Sequence, residues 1–137
     1  MILTCSGCSS KNRVPASKLS ARPTCGKCKE ILRLSTPVNV ATEAEFDALI
    51  AESSLPVLVD FWAAWCGPCR AVAPQLAALA QARAGHLVIA KVDSDALPGL
   101  SERFAVRSIP TLILFREGNL VRREAGALNA QQIAQAF

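Results

Sequence analysis

The sequence predicts an α/β fold, a mixed central sheet flanked by helices, with a small cysteine-bearing module ahead of it. Three observations carry that expectation. From residue 38 onward, β-rich apolar runs alternate with helical patterns in the order β-α-β-α-β-α-β-β-α, which implies parallel strands where helices cross over and an antiparallel pair where two strands follow directly. Pro56 to Trp62 is too continuously apolar to be an edge strand and reads as one buried on both faces. Residues 1–34 carry seven basic groups and one acidic, against eight basic and ten acidic in residues 35–137, so the excess positive charge belongs to a distinct N-terminal piece.

The elements follow in chain order. Met1 to Leu34 is short and polar, with hydrophobic periodicity only at Ile31, Leu32 and Leu34, and it cannot bury a core unaided. Ser35-Thr36-Pro37 marks a linker into the main domain, residues 35–137, where Val38-Asn39-Val40 reads as a short strand. Thr42-Glu43-Ala44-Glu45 is a capping box opening a helix that runs to about Glu52. The buried strand comes next and puts Asp60 in dry surroundings. From Cys66 to about Ala84 the pattern is helical, with Val72, Leu76, Leu79 and Ala80 on one stripe, Pro74 predicting a kink and Gly85 ending the helix. His86 to Asp93 gives a strand and Leu97 to Phe104 a short helix. Thr111–Arg116 and Leu120–Ala125 flank Glu117-Gly118-Asn119 as a hairpin, and Asn129 caps a last helix reaching Phe137.

Composition narrows the function. With 137 residues and 51% hydrophobic content, the chain holds one core-bearing domain and an appendage. Its longest apolar runs fall far short of the roughly 20 residues that span a bilayer, so no membrane partner is expected. The N-terminus lacks the basic start and apolar stretch of a secretory signal, which predicts a cytoplasmic address. The basic N-terminal piece contains no aromatic side chain on which a base could stack, so nucleic acid is not an expected partner. The six cysteines form three Cys-x-x-Cys pairs, Cys5/Cys8, Cys25/Cys28 and Cys66/Cys69, which favours metal ligation and redox chemistry over a disulfide framework.

Cys66-Gly67-Pro68-Cys69 sits where the buried strand gives way to a helix. Within a regular helix, Cβ atoms three residues apart are about 5–6 Å from each other, whereas a disulfide needs about 3.5–4.5 Å. Cys66 must therefore lie at the helix start, and Pro68 agrees, since proline is tolerated in a first turn. The unpaired N–H groups there favour the Cys66 thiolate, which makes it the nucleophile. Cys69, one turn in and more buried, is the expected resolving thiol.

The other two pairs are separated by 16 residues, a spacing that fits a four-cysteine zinc ribbon in which each pair turns through Gly7 or Gly26. Cys5, Cys8, Cys25 and Cys28 would hold one structural zinc, and the metal would supply the folding energy that the segment lacks. Two structural disulfides are the alternative, opposed by a reducing compartment.

Phe61-Trp62-Ala63-Ala64-Trp65-Cys66-Gly67-Pro68-Cys69-Arg70, Pro74, Arg107-Ser108-Ile109-Pro110-Thr111 and Gly126-Ala127 resemble the thioredoxin pattern, and the N-terminal pairs resemble its zinc-carrying thioredoxin 2 class. The resemblance implies the thioredoxin fold over residues 35–137, reduction of disulfide-containing protein substrates, and recharging by a flavin-dependent thioredoxin reductase using NADPH. It implies no bound redox cofactor beyond the Cys66-Cys69 pair, and the protein is expected to act as a monomer. It gives Asp60 a role as proton acceptor and donor for the second cysteine through water, and pairs Lys91 with that aspartate. A cis Ile109–Pro110 bond would set Ile109 beside Cys66, in a shallow substrate patch shared with Trp65, Gly67 and Pro68 and completed by the Gly126-Ala127 backbone. Trp62 reads as core support and His86 as structural or solvated. An oxidant or isomerase, and a binding module whose turnover is incidental, are the other readings.

Overall fold

The computed structural model describes Met1–Phe137. At its centre runs β4 (Val57–Trp62), whose first five residues are all buried. β4 pairs parallel with β5 (Val88–Asp93), which pairs parallel with β3 (Val38–Asn39). On its other side β4 pairs antiparallel with β6 (Thr111–Arg116), and β6 with β7 (Asn119–Ala125), so the sheet order is β3-β5-β4-β6-β7. The expected mixed sheet is thus present, with its most apolar strand innermost.

Side chains alternate across a strand, and β4 serves two cores accordingly. Val57, Val59 and Phe61 face α1 (Glu43–Glu52) and α3 (Pro98–Arg103), where Phe46, Phe61, Phe104 and Phe115 pack with ring centroids 5.4–6.3 Å apart. Leu58 faces α2 (Gly67–Ala82) and α4 (Ala130–Ala136) through Val72, Leu76, Leu79 and Ile133. The two-residue period then turns Asp60 and Trp62 toward the α2 side with Leu58. Pro74 lies inside α2, which continues past it as one helix, and Gly85 follows the Arg83 cap at φ +81°.

Caps decide where helices begin. Thr42 Oγ1 accepts the Glu45 N–H at 3.1 Å, while the Glu45 carboxylate reaches back to the Ala41 N–H at 2.9 Å, one residue before the cap. Asn129 and Gln132 form a full reciprocal box on α4. The hairpin is tighter than expected: Asn119 already pairs with Arg116, leaving Glu117 (φ +51°) and Gly118 (φ +82°) as a two-residue turn.

The N-terminal piece has more structure than its polarity suggested. β1 (Ile2–Thr4) and β2 (Lys11–Arg13) form an antiparallel pair, followed by a 3-10 helix over Ala16–Ala21. Leu3, Val14, Ala16, Leu19, Leu32 and Leu34 are buried, but in the same cluster as Val40, Phe46 and Leu49. The segment has no core of its own because it shares the one under α1. Backbone bonds tie the two pieces, from Ser54 N–H to the Ala16 carbonyl at 3.2 Å and from Ser20 N–H to Ser54 Oγ at 3.0 Å.

Leu19→Ala tests this sharing. The substitution should cost about 2–4 kcal/mol and lower the urea midpoint read by fluorescence of Trp62 and Trp65, which lie outside the N-terminal piece. An unmoved midpoint would mean that the two pieces melt independently.

Candidate active site

Cys66 is the N-cap of α2, with extended backbone (φ −84°, ψ 112°), and Gly67 and Pro68 are the first two helical residues. Proline costs nothing there because that N–H has no helical partner anyway. The Cys69 N–H donates to Cys66 Sγ at 3.2 Å, the bond a capping side chain makes, here to sulfur. Cys66 and Cys69 are joined in a disulfide with Cα atoms 5.3 Å apart. The expectation that Cys69 is the more buried of the two needs correction, since they are 3% and 4% exposed. What distinguishes them is direction: Cys66 lines an open groove of about 550 Å³, and Cys69 does not.

That groove brings together the start of α2, Ser94 with α3, and the loop before β6. Trp65, Gly67 and Pro68 form one wall, and Val106, Arg107, Ser108 and Ile109 another. The Ile109–Pro110 bond is cis, and the Ile109 carbonyl oxygen lies 3.8 Å from Cys66 Sγ. Trp65 is 69% exposed yet held, because its indole N–H donates to Asp95 at 2.9 Å. Gly126 and Ala127 do not line the groove; the Gly126 N–H donates to the Pro110 carbonyl at 2.9 Å, which anchors that turn beside it.

On the α2 face of β4, Asp60 is 1% exposed and its Oδ1 has no hydrogen-bond partner. Burial pushes its carboxyl up to about 6, with the Lys91 charge pulling the other way. Lys91 is directly across the parallel register from Asp60. Its ammonium sits 4.9 Å over the Trp62 ring, and neither of the two ion pairs in the chain, Arg103–Asp47 and Arg122–Glu124, includes it. Lys91 therefore acts on Asp60 at a distance, as a charge held by an aromatic face. His86 is exposed, ahead of β5.

Residues that the sequence did not single out also shape the site. Ser94, Asp95 and Ser101 surround the groove's far wall, and the Arg70 guanidinium donates to the Ala64 carbonyl at 2.8 Å, bracing the loop before Cys66. The available signal was positional: Asp93-Ser94-Asp95 ends the strand beside β4, and in open α/β sheets the carboxyl ends of adjacent parallel strands converge on one place.

At the N-terminal piece, the four remaining cysteines have their sulfurs within 4.8 Å of one another. Cys5 and Cys28 are 3.5 Å apart and Cys8 and Cys25 3.6 Å, near the edge of about 3.8 Å that a Zn–S bond of 2.3 Å sets in a tetrahedron. The two knuckles match bond for bond. Gly7 and Lys27 N–H groups each donate to the preceding cysteine sulfur at 3.4 Å, and Ser9 and Lys29 N–H groups return to the Cys5 and Cys25 carbonyls at 2.9 and 3.0 Å. The positive-φ residues that turn each knuckle are Ser9 (62°) and Lys29 (67°), where Gly7 and Gly26 were expected to turn it. Backbone donation from Cys28 and Lys27 lowers the Cys25 thiol to about 6. Cys28, against a lowering bond from the Glu30 backbone, is pushed up to about 12 by the crowding sulfur of Cys5. Four sulfurs gathered within 4.8 Å, two pairs of them near the tetrahedral edge, fit a thiolate-binding metal.

Comparison with known proteins matches both pieces. The Thioredoxin family pattern covers residues 37–137, and the pattern described as Thioredoxin 2, N-terminal covers residues 4–30. Thioredoxin C-3 of Corynebacterium nephridii is 44% identical over 135 residues, spanning 98% of this chain and 92% of its own. A bifunctional thioredoxin reductase/thioredoxin of Mycobacterium leprae is 50% identical over 86 residues, 63% of this chain and 19% of its own. The solved structure of Plasmodium falciparum thioredoxin superposes with a TM-score of 0.67 at 34% identity, covering 72% of this chain and 93% of that one.

The raised Asp60 pKa has a stability consequence. An aspartate is protonated with a pKa of about 3.9 when unfolded and about 6 here. The folded state therefore binds the proton more tightly, and stability falls as pH rises from about 4 to 6, by about 3 kcal/mol when complete. Asp60→Ala removes that loss, so its stability relative to wild type should climb between pH 4 and pH 8. Urea denaturation of the oxidised proteins at both pH values measures the difference; a constant difference would show that Asp60 is not desolvated.

Proposed function

We propose that this chain, which belongs to the thioredoxin family, reduces disulfides of cytoplasmic proteins through Cys66 and Cys69 and is recharged by an NADPH-dependent thioredoxin reductase. It is a thiol-disulfide oxidoreductase, a protein-disulfide reductase. The observation that carries the assignment of roles is the Cys66 sulfur, held at a helix N-cap by the Cys69 N–H and opening onto the groove.

In the reduced protein the first-turn N–H groups stabilise negative charge on Cys66. A substrate strand lies along the groove formed by Trp65, Gly67, Pro68 and Ile109, with the buried Pro110 behind it and the Gly126-Ala127 turn beside Pro110. The Cys66 thiolate attacks one sulfur of the substrate disulfide, forming a mixed disulfide and expelling the other sulfur as a thiolate. Asp60, through a water, takes the proton of Cys69. The Cys69 thiolate then attacks the Cys66 sulfur, expelling the second substrate thiolate and closing the Cys66–Cys69 disulfide. One substrate disulfide has become two thiols at the expense of one protein dithiol. Burial raises the Asp60 pKa to about 6, where the carboxyl can both take and return a proton, and the Lys91 charge limits that rise. The reductase restores the dithiol with two electrons from NADPH, and the Mycobacterium leprae relative, described as carrying reductase and thioredoxin in one chain, supports such a partner.

Residues 1–34 act as a zinc-binding module ahead of a catalytic domain at 35–137. Cys5, Cys8, Cys25 and Cys28 hold one structural zinc, supported by their mutual distances, and the protein works as a monomer. A reducing cytoplasm would keep these four thiols free for the metal.

Cys66→Ser should abolish reduction of insulin disulfides, whereas Cys69→Ser should accumulate mixed disulfides with substrate. Equal trapping by both variants would reverse or dissolve the assigned roles. By metal analysis the purified chain should carry about one zinc, lost in Cys5→Ser or Cys28→Ser and kept in Cys66→Ser and Cys69→Ser. Zinc lost only with Cys66 would overturn the division between the two cysteine sets.

A further inference from the structure

In the whole chain four buried side-chain polar atoms have no hydrogen-bond partner: Asp60 Oδ1, Trp62 Nε1, Ser94 Oγ and Ser101 Oγ. They gather at one end of the molecule. Trp62 packs against the cluster of Ala63, Cys66 and Cys69, Asp60 precedes it by two residues on the same face of β4, and Ser94 and Ser101 line the groove that opens onto Cys66. An unpaired buried hydroxyl costs about 1–3 kcal/mol, so two in one groove wall call for a purpose. Proton transfer accounts for Asp60 and uses neither serine.

Both serines are fixed by their backbones. The Ser94 N–H donates to the Trp62 carbonyl at 2.8 Å, and the Ser101 carbonyl accepts from the Val106 N–H at 2.8 Å. Each side chain retains one free torsion, and a rotamer change about it takes picoseconds to nanoseconds. Around them the groove is lined by Pro98, Val106 and Ile109, with the exposed Arg107 and Ser108 on the same side as the last two. A hydroxyl both donates and accepts, and two of them match a carboxamide, whose carbonyl takes one bond and whose NH2 gives the other. A carboxylate offers acceptors only, so neither hydroxyl can accept from it, and an aliphatic side chain leaves both hydroxyls unpaired.

We propose that Ser94 and Ser101 form a hydrogen-bonding subsite in the groove beside Cys66 that takes an Asn or Gln side chain flanking the substrate cysteine. This rests on Cys66 being the sulfur that attacks substrate. Rejection of analogues that leave built polar groups unpaired is the stronger form of selectivity, because the penalty falls on the wrong ligand.

The test uses the full-length protein and disulfide-loop peptides in which each of the two residues on either side of one cysteine is Gln, Leu or Glu in turn. At one position the wild type should prefer Gln over Leu by roughly fivefold in kcat/KM, carried by KM. Ser94→Ala/Ser101→Ala should erase that preference, and Ser94→Thr, which keeps a hydroxyl, should retain it. A Gln-to-Leu ratio that is the same in wild type and double variant at every position overturns the subsite, as does a preference for Glu over Gln. A wild type that reduces none of the peptides would instead sink the reductase reading, and the subsite with it.

Discussion

One backbone arrangement governs the molecule: the Cys69 N–H, in the first turn of α2, donates to the sulfur of Cys66. This requires a chain that leaves a buried strand, turns through residues 63–65 and enters a helix at once. β4 supplies the strand, Cys66 the cap, and Pro68 a helical residue that has no N–H to lose. A different cap would leave the helix equally well started but without a thiolate site. The redox centre is thus the ordinary solution to helix initiation, with sulfur in the place of an oxygen.

Around that sulfur the fold tolerates what it avoids elsewhere. All four buried polar atoms without partners lie near the disulfide or its groove, while the two hydrophobic cores are closed and apolar. Asp60 is the clearest case, because its neighbours on the α2 face of the sheet are Leu58 and the Trp62 ring, and the nearest cation is turned onto that ring. A carboxyl in such a place costs stability when ionised, and the same cost brings its pKa to about 6, where proton exchange at neutral pH is easy. The destabilisation and the raised pKa here have one physical cause.

Much of this was legible in the sequence because the signals were local. The two-residue and 3.6-residue periods located every strand and helix from residue 38 on, and the cysteine spacings separated a redox pair from a metal set. Ends shifted by one or two residues where a cap or turn competed: Asn119 joined its strand because Glu117 and Gly118 alone can make the turn. The N-terminal elements went unseen for a nonlocal reason. Leu3, Val14 and Leu19 have no shared period and are buried only because α1 is there to cover them. Ser94 and Ser101 were equally silent, since a serine's lack of a partner is a property of the fold and not of its neighbours in the chain.

The two cysteine centres lie too far apart to influence each other by charge. Thr4, Ser6, Lys29 and Glu30 share a groove with Gln81 and Ala84, which places the four-cysteine cluster at the C-terminal end of α2, while Cys66 stands at the other end. Sixteen helical residues make that helix about 24 Å long. Across such a distance in water a unit charge exerts about 0.2 kcal/mol, and salt with a Debye length of about 8 Å screens most of it. The net charge of four thiolates around a metal therefore cannot set the reactivity of Cys66. Packing can still connect the two ends, because Leu19 and Val14 belong to the core that includes Phe46, Phe61 and Phe115. Phe61 precedes Trp62 on β4, the strand that leads to Cys66. Any effect of a metal at one end would have to pass to the redox end through this shared core, leaving the chemistry of the Cys66–Cys69 pair to its own helix and strand.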